Sequence, residues 1–409
     1  MDYSLFRMDE KEWENIRSGL TETKDGWKTP FYLFSEGKAK KNVGILKDSM
    51  GGKVQIAYAL KANPWLIREM AVSADFIEVC SEGELEICRK NKVPGDKIVV
   101  DGVYKNDNFI KKALEMDISR ICVVSLEQLE KIMYFSEGRG IPHILLRVSS
   151  GNQFGMEEQE AAECIQMCRG RHRTEEAGIG IQFYPGTQRS NIQQIQEELK
   201  KLKQWLNFFE LKTDVKLKII EFGSGIGVPY FESDDTEDYA KAWEIVSDFA
   251  EQISKNYTVT YESGRIISAA CGIYVTKVFA RKTNGEKEIL FCDGGTNHLV
   301  YHGGILGVRT PYAKSVCNNP SGRSGQFMVC GPLCSEGDVL IRDCWILDEN
   351  TAEGDYIVFF NAGAYSATES ANLFLSMAMP AVLLYNKNNS FVQEIRGHIS
   401  TYKLIQDGM

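Results

Sequence analysis

The 409-residue sequence has no window of about 18 uncharged apolar residues, which excludes a membrane-spanning helix. It has no long basic run either. Its 47 Lys and Arg are outnumbered by 56 Asp and Glu, for a net charge of -9, and this balance argues against nucleic acid or a membrane surface as partner, since both select clustered positive charge. Met1 to Trp13 carries four acidic residues and no apolar segment, so no secretory leader is expected and the expected location is the cytoplasm. Internal repeats and low-complexity tracts are missing. So is metal-type cysteine spacing: the close pairs Cys164/Cys168 and Cys330/Cys334 lack matching His partners, and no metal is expected. The eleven cysteines are odd in number and many sit in apolar runs such as Ile121-Cys122-Val123, so reduced, mostly buried thiols are expected.

What is present, 43% hydrophobic and 25% charged residues, is ordinary for a globular protein long enough for two domains. Between about residues 54 and 264, short β-branched runs alternate with helix-period segments. Strands are predicted at Val54–Leu60, Phe76–Cys80, Lys97–Asp101, Arg120–Ser125, His143–Val148, Ile179–Phe183, Leu217–Phe222 and Thr258–Glu262. Amphipathic helices are predicted at Glu82–Asn91, Asn106–Met116, Leu126–Glu137, Glu157–Arg169, Ile192–Leu211 and Tyr239–Lys255. Such alternation predicts an α/β fold, a (β/α)8 TIM barrel, with an open doubly wound sheet as the competitor.

After about residue 270 the pattern becomes strands between Gly, Pro, Asn and Asp turns: Gly272–Arg281, Lys287–Cys292, Phe327–Val329, Asp338–Leu347 and Asp355–Asn361. This predicts a mostly antiparallel β domain, to which Pro30–Phe34 adds a strand. The expected division is a barrel over residues 35–269 and a β domain built from 1–34 with 270–409. A surface turn is expected at Asn386-Lys387-Asn388-Asn389.

In such a barrel the active site lies at the C-terminal strand ends, so the residues following each strand are the informative ones. The first strand runs into Tyr58-Ala59-Leu60-Lys61-Ala62-Asn63. A Lys leaving an apolar strand loses solvation, which lowers its pKa and suits it to bond a carbonyl; a lone Lys there more often only snorkels to solvent. The seventh strand precedes Gly223-Ser224-Gly225-Ile226-Gly227, whose glycines let backbone N–H groups approach an anion, although many such runs are only tight turns. The eighth ends in Glu262-Ser263-Gly264-Arg265: an Arg for phosphate and a Glu for a protonated ring nitrogen, or a plain surface ion pair. Together the three elements ask for one phosphorylated, carbonyl-bearing heteroaromatic ligand, and pyridoxal 5'-phosphate fits all three.

Over nearly its whole length the chain resembles the alanine-racemase-like (fold type III) pyridoxal-phosphate decarboxylases, the group of diaminopimelate and ornithine decarboxylases. The resemblance rests on Tyr58 to Asn63, on Ser81-Glu82-Gly83-Glu84-Leu85, on Glu262 to Arg265, on Gly331-Pro332-Leu333-Cys334 with Gly337-Asp338, and on Gly363-Ala364-Tyr365. It implies that Lys61 is the Schiff-base lysine, that Gly223, Ser224, Gly225, Gly264 and Arg265 hold the phosphate with Tyr365, and that Glu262 pairs with the pyridine nitrogen. A carboxylate there favours decarboxylation over racemisation, because it keeps the ring protonated and electron-accepting. Cys334 is then the proton donor to Cα in the partner subunit's site, which implies a head-to-tail homodimer.

Departures from the family are equally informative. Its usual His-Val/Ile-Gly-Ser run is here Tyr184-Pro185-Gly186-Thr187: Tyr184 keeps an aromatic face for the ring, Thr187 keeps the hydroxyl, and Ser224 adds one where glycine is usual. The Arg-Pro-x-Leu-Tyr element with which diaminopimelate decarboxylases clamp the distal carboxylate is missing; Tyr301 occupies its place, and Ser335, with Glu336 beside it, replaces the acid after the Cys. Those three are the candidate substrate residues. Tyr184 to Gln188, Gln153 to Met156 and Gly227 to Phe231 are similar to the butirosin-pathway decarboxylase, which acts on a glutamyl group tethered to an acyl carrier protein. The expected function is pyridoxal-phosphate-dependent decarboxylation of an amino acid or a carrier-tethered aminoacyl group. Diaminopimelate or ornithine/lysine decarboxylation, and a catalytically silent homologue that binds a partner, are the alternatives, though retention of Lys61, Glu262, Arg265 and Cys334 speaks against silence. His298, His302 and the other cysteines are read as structural.

Overall fold

The structure, a computed structural model, describes residues 3–22, 27–138, 140–170, 178–302, 306–386 and 391–406. The chain divides into two units, one formed by Asn42–Gly227 with Glu237–Gly264, the other by Asp2–Lys41, Val228–Thr236 and Arg265–Met409.

The first strand, β1 (Phe31–Ser35), belongs to the second unit. The next eight close in order into a parallel barrel: β2 (Gln55–Ala59), β3 (Phe76–Val79), β4 (Ile98–Val100), β5 (Arg120–Val123), β6 (His143–Arg147), β7 (Ile179–Phe183), β8 (Ile219–Phe222) and β9 (Thr258–Ser263). Each predicted barrel strand is present, and so is each predicted helix, within a few residues. The strand-to-helix junctions are defined by local chemistry. Ser81 accepts from the Glu84 N–H at 3.2 Å, Asn106 from Phe109 at 2.8 Å, Ser125 from Gln128 at 3.2 Å and Asn191 from Gln194 at 3.0 Å. Each cap satisfies an N–H that a helix start leaves unpaired.

Inward positions recur every second residue along a strand, which sets two polar levels inside the barrel. At the lower level Arg120 pairs with Glu221 at 2.9 Å, donates to Thr260 at 2.7 Å and Gln55 at 3.0 Å, and lies 4.1 Å from the Phe76 ring centroid. Two residues further along β3, β7 and β9 are Glu78, Gln182 and Glu262. Ala57, Phe76, Val99, Cys122, Leu145 and Ile219, from six of the strands, form a buried apolar cluster.

The second unit is a mixed, mostly antiparallel sheet of β1 with β10 (Gly272–Asn284), β11 (Lys287–Cys292), β12 (Ala313–Val316), β13 (Ser324–Cys330), β14 (Val339–Asp348), β15 (Tyr356–Phe359), β16 (Ala381–Asn386) and β17 (Phe391–Arg396). Its order is β14-β13-β11-β10-β1-β16-β17, with β15 joining β10 to β12. Among its described strands only β1–β16 and β11–β13 pair in parallel. The sequence patterns found β1, β10, β11, β13, β14 and β15 but not β12, β16 or β17. The helix Glu10–Glu22, also unforeseen, buries Trp13, Ile16 and Leu20 with Phe31, Leu33, Ile273 and Val275. In the expected turn, Asn386 ends β16 and Lys387 to Asn389 lie outside the described residues. Among the described residues no helix is long and apolar enough to cross a membrane.

Candidate active site

β2 stops at Ala59 because the chain then turns on itself. Leu60–Ala62 form a single 3-10 turn, the buried Tyr58 hydroxyl donates to the Asn63 carbonyl at 3.0 Å, and Asn63 Oδ1 accepts from the Trp65 N–H at 3.1 Å. Lys61 leaves this clasp with its Nζ 2.9 Å from Glu78 Oε1, 3.3 Å from Cys80 Sγ and 3.9 Å from Glu262 Oε1. The flanking sequence predicts an apolar setting for the amine. Its actual setting is acidic, because β3 and β9, the strands on either side of β2, each turn a glutamate inward.

Burial pushes the Glu262 carboxyl well above the usual carboxylate range; Glu78 adds to the rise and Lys61 opposes it. Gln182 Nε2 donates to Glu262 Oε2 at 2.9 Å. The Cys80 thiol, 2.9 Å from Glu78 Oε1, is pushed up by burial and then by Glu78. Across the mouth, Arg147 Nη1 is 3.3 Å from Asp101 Oδ2. Burial would raise Asp101, but Arg147, Lys105 and Lys61 together outweigh it and hold that carboxyl below its ordinary value. Glu78, Cys80 and Asp101 bring ligand-type atoms within 4.8 Å of one another, yet their charge already faces Lys61 and Arg147.

The glycine turn after β8 is held to the loop after β7. The Arg189 N–H donates to Gly225 O and the Gly227 N–H to Arg189 O, each at 3.0 Å. Gly225 has φ +61°, and a Cβ there would sit 1.6 Å from the Gly186 carbonyl oxygen, so both conformation and contact demand glycine. This seam brings Tyr184, Thr187, Gly223, Ser224 and Gly225 together, with the Tyr184 ring against Gly223. The Ser224 hydroxyl, expected to be an additional donor to an anion, instead meets the Tyr261 hydroxyl at 2.9 Å. Gly264 is pressed against Ala62, where a Cβ would come within 2.6 Å of the alanine Cβ.

In the second unit Arg265 is buried, donates from Nη1 to the Tyr230 hydroxyl at 2.6 Å, and has its guanidinium carbon 4.6 Å from the Tyr365 ring centroid. Tyr365 holds the left-handed φ of +65°, a strained value for an aromatic residue. Tyr301 is buried and its hydroxyl donates to Phe360 O at 2.5 Å, so the group expected to meet substrate is engaged within its own unit. Cys334, Ser335 and Glu336 are exposed on a loop organised by Asp338. Asp338 Oδ2 accepts from the Leu333 N–H at 2.8 Å, and Oδ1 accepts from the Thr296 N–H and hydroxyl at 2.8 and 3.0 Å. His298 is an interior residue: burial lowers it to about 4, and its Nδ1 lies 3.3 Å from the Tyr274 hydroxyl.

The sequence reasoning looked for polar residues after the strands and so passed over Glu78, Arg147 and Gln182, which lie inside them. The signal was present: each is a polar residue in an otherwise buried apolar run, at the inward parity of its strand. Chemically, the mouth offers an amine, a guanidinium, three carboxyls and a backbone-rich turn, a combination suited to an anionic ring compound that bonds an amine.

A family described as "Pyridoxal-dependent decarboxylase, pyridoxal binding domain" matches residues 37–269. The L-glutamyl-[BtrI acyl-carrier protein] decarboxylase of Niallia circulans is 27% identical over 395 residues, covering 89% of this chain and 90% of that protein. The diaminopimelate decarboxylase of Haemophilus influenzae is 28% identical over 391 residues, with 89% and 90% covered. The crystal structure of diaminopimelate decarboxylase from Helicobacter pylori complexed with L-lysine superposes with a TM-score of 0.77 at 26% identity, covering 94% of this chain and 98% of that one.

Proposed function

The chain belongs to the pyridoxal-dependent decarboxylases, and from that membership we propose that it releases CO2 from an aminoacyl group carried as a thioester on an acyl carrier protein, leaving the tethered amine. It is a carboxy-lyase that uses pyridoxal 5'-phosphate. The observation that carries the reading is the Lys61 amine set against Glu78 and Glu262 at the C-terminal strand ends.

The mouth fits the cofactor. Among the described residues Glu78 Oε2 is buried and receives no donor, and the turn at Gly225 has no room for a side chain. Bound there, pyridoxal phosphate supplies an electron-accepting ring for the electrons of the breaking Cα–carboxylate bond. Lys61 Nζ is the amine for its attachment. Glu262 holds a proton at the ring nitrogen, Tyr184 offers an aromatic face, and Gly223, Ser224, Gly225 and Gly264 present backbone to the phosphate, with Thr187 contributing its hydroxyl. Arg265 and Tyr365 are assigned to the same phosphate by resemblance. The Cys334 thiol returns a proton to Cα in place of the departed CO2, serving a second copy of this chain in a head-to-tail homodimer. Its exposure and its braced loop support that role.

The missing arginine clamp, with Tyr301 in its place, supports a substrate without a free distal carboxylate, and Ser335 and Glu336 are the side chains proposed to read it. All eleven cysteines are free, which supports a reducing cytoplasmic location. The test is CO2 release from a panel of free acidic and basic amino acids, each offered also as a carrier-protein thioester. Turnover confined to a tethered substrate supports the proposal; turnover of free diaminopimelate, ornithine or lysine overturns it.

A further inference from the structure

Gln182 is fully buried on β7, and its side chain crosses the barrel interior to reach β9. Its two amide atoms have different neighbours. Nε2 lies 2.9 Å from Glu262 Oε2, while Oε1 lies 4.0 Å from Cys122 Sγ on β5. The Cys122 thiol, which burial keeps protonated, also faces Asp101, so the short contact to Glu262 is the one that sets the amide with its N–H toward the carboxyl. Glu78 on β3 and Asp101 after β4 repel a second negative charge on Glu262, and Glu78 also hydrogen-bonds its protonated form, while Lys61 after β2 and Arg147 on β6 attract the charge. Gln182 adds a neutral donor aimed at one oxygen.

We propose that Gln182 is a positioning residue for Glu262: its amide N–H keeps Oε2 an acceptor, so the proton shared between Glu262 and the ring nitrogen of bound pyridoxal phosphate rests on the nitrogen. This rests on the role proposed above for Glu262. A hydrogen bond to the ionised form of a buried carboxyl favours that form. Without it, burial and Glu78 act on Glu262 with less opposition and the carboxyl takes the proton from the ring. The ring then draws electrons less strongly, although nothing that touches substrate has changed.

The experiment uses the holoenzyme loaded with pyridoxal phosphate labelled with nitrogen-15 in the ring, whose NMR shift reads ring protonation directly. Wild type and Gln182→His, which restores an N–H donor, are expected to show a protonated ring at neutral pH. Gln182→Met, similar in size but without a donor, is expected to lower the pH of half-protonation by about one to two units, the equivalent of one hydrogen bond to a charged group. Its kcat is expected to fall with KM nearly unchanged. If Gln182→Met does not fold, Gln182→Leu against Gln182→His makes the same comparison of donor absent and donor present. A ring shift that follows wild type at every pH in the donorless variant overturns the inference. Glu262→Gln separates the two levels: if it leaves ring protonation unchanged, the role of Glu262 falls as well, and if it alone moves the shift, only the role of Gln182 falls.

Discussion

The hydroxyls of Ser224 and Tyr261 lie 2.9 Å apart, both buried, behind the turn that follows β8. Burial pushes the Tyr261 hydroxyl well above its ordinary value, so it stays neutral and hydrogen-bonding. Tyr261→Phe strands the Ser224 hydroxyl, at an expected cost of about 1–3 kcal/mol, with weaker retention of pyridoxal phosphate. Adding Ser224→Ala should recover part of that loss. A double-mutant cycle read by thermal melting checks this, and a coupling indistinguishable from zero would refute it.

Lys61→Ala should abolish both the visible absorbance of the bound cofactor and CO2 release. Glu78→Gln keeps the amine but removes its nearest anion, 2.9 Å away. It should leave a coloured but slower enzyme, which absorbance and CO2 assays on the same preparations will separate. A colourless wild-type protein that pyridoxal phosphate cannot reconstitute would sink the assignment of Lys61.

Cys334→Ala is expected to lower turnover by about 10²–10⁴-fold, the usual worth of a positioned proton donor, while the cofactor's absorbance stays intact. Asp338→Asn retains an acceptor but replaces a carboxylate that takes three donors, so it should misplace the Cys334 loop and produce a smaller loss in kcat. Unchanged rate and product in Cys334→Ala would rule out the donor role.

Lys38, on the helix Glu36–Ser49, has a side chain with no exposure; its Nζ lies 3.9 Å from Asp9 and donates to the Ser4 carbonyl. Burial lowers its pKa from 10.5 to about 8, with Asp9 opposing. Between those values the folded chain binds fewer protons than the unfolded one, so stability rises with pH across that window and the penalty is complete below it. The shift corresponds to ~3 kcal/mol at neutral pH. Lys38→Met should therefore melt at a higher temperature than wild type at pH 7 and lose the advantage near pH 10.5. No gain at pH 7 would disprove the prediction.

The barrel was legible because its grammar is local: short apolar runs alternate with amphipathic helices, and Ser or Asn caps mark the helices after β3, β4, β5 and β7. β16 was not, although the predicted turn at Asn386 lies between it and its partner β17, since its other partner β1 lies some 350 residues earlier in the chain. Lys61, Glu262 and the glycine turn were legible because they follow strands in sequence. Their neighbours Glu78 and Gln182 were not. Their inward parity marks them as buried polar groups but does not say what they meet, and closure of the sheet into a cylinder is what brings β3, β7 and β9 to a common axis. Ser224 and Tyr301 show the converse. Their hydroxyls looked available in the sequence, but each is taken by a group from a distant segment, Tyr261 and the Phe360 carbonyl.

The lower polar level, where Arg120 meets Glu221, Thr260 and Gln55, is felt at the mouth: Glu78 and Asp101 both add to the rise that burial gives the Glu221 carboxyl. The two storeys of the cylinder therefore share one electrostatic field. An engineer who repacks the lower one with apolar residues takes a buried charge pair out of that field and retunes the carboxyls above it.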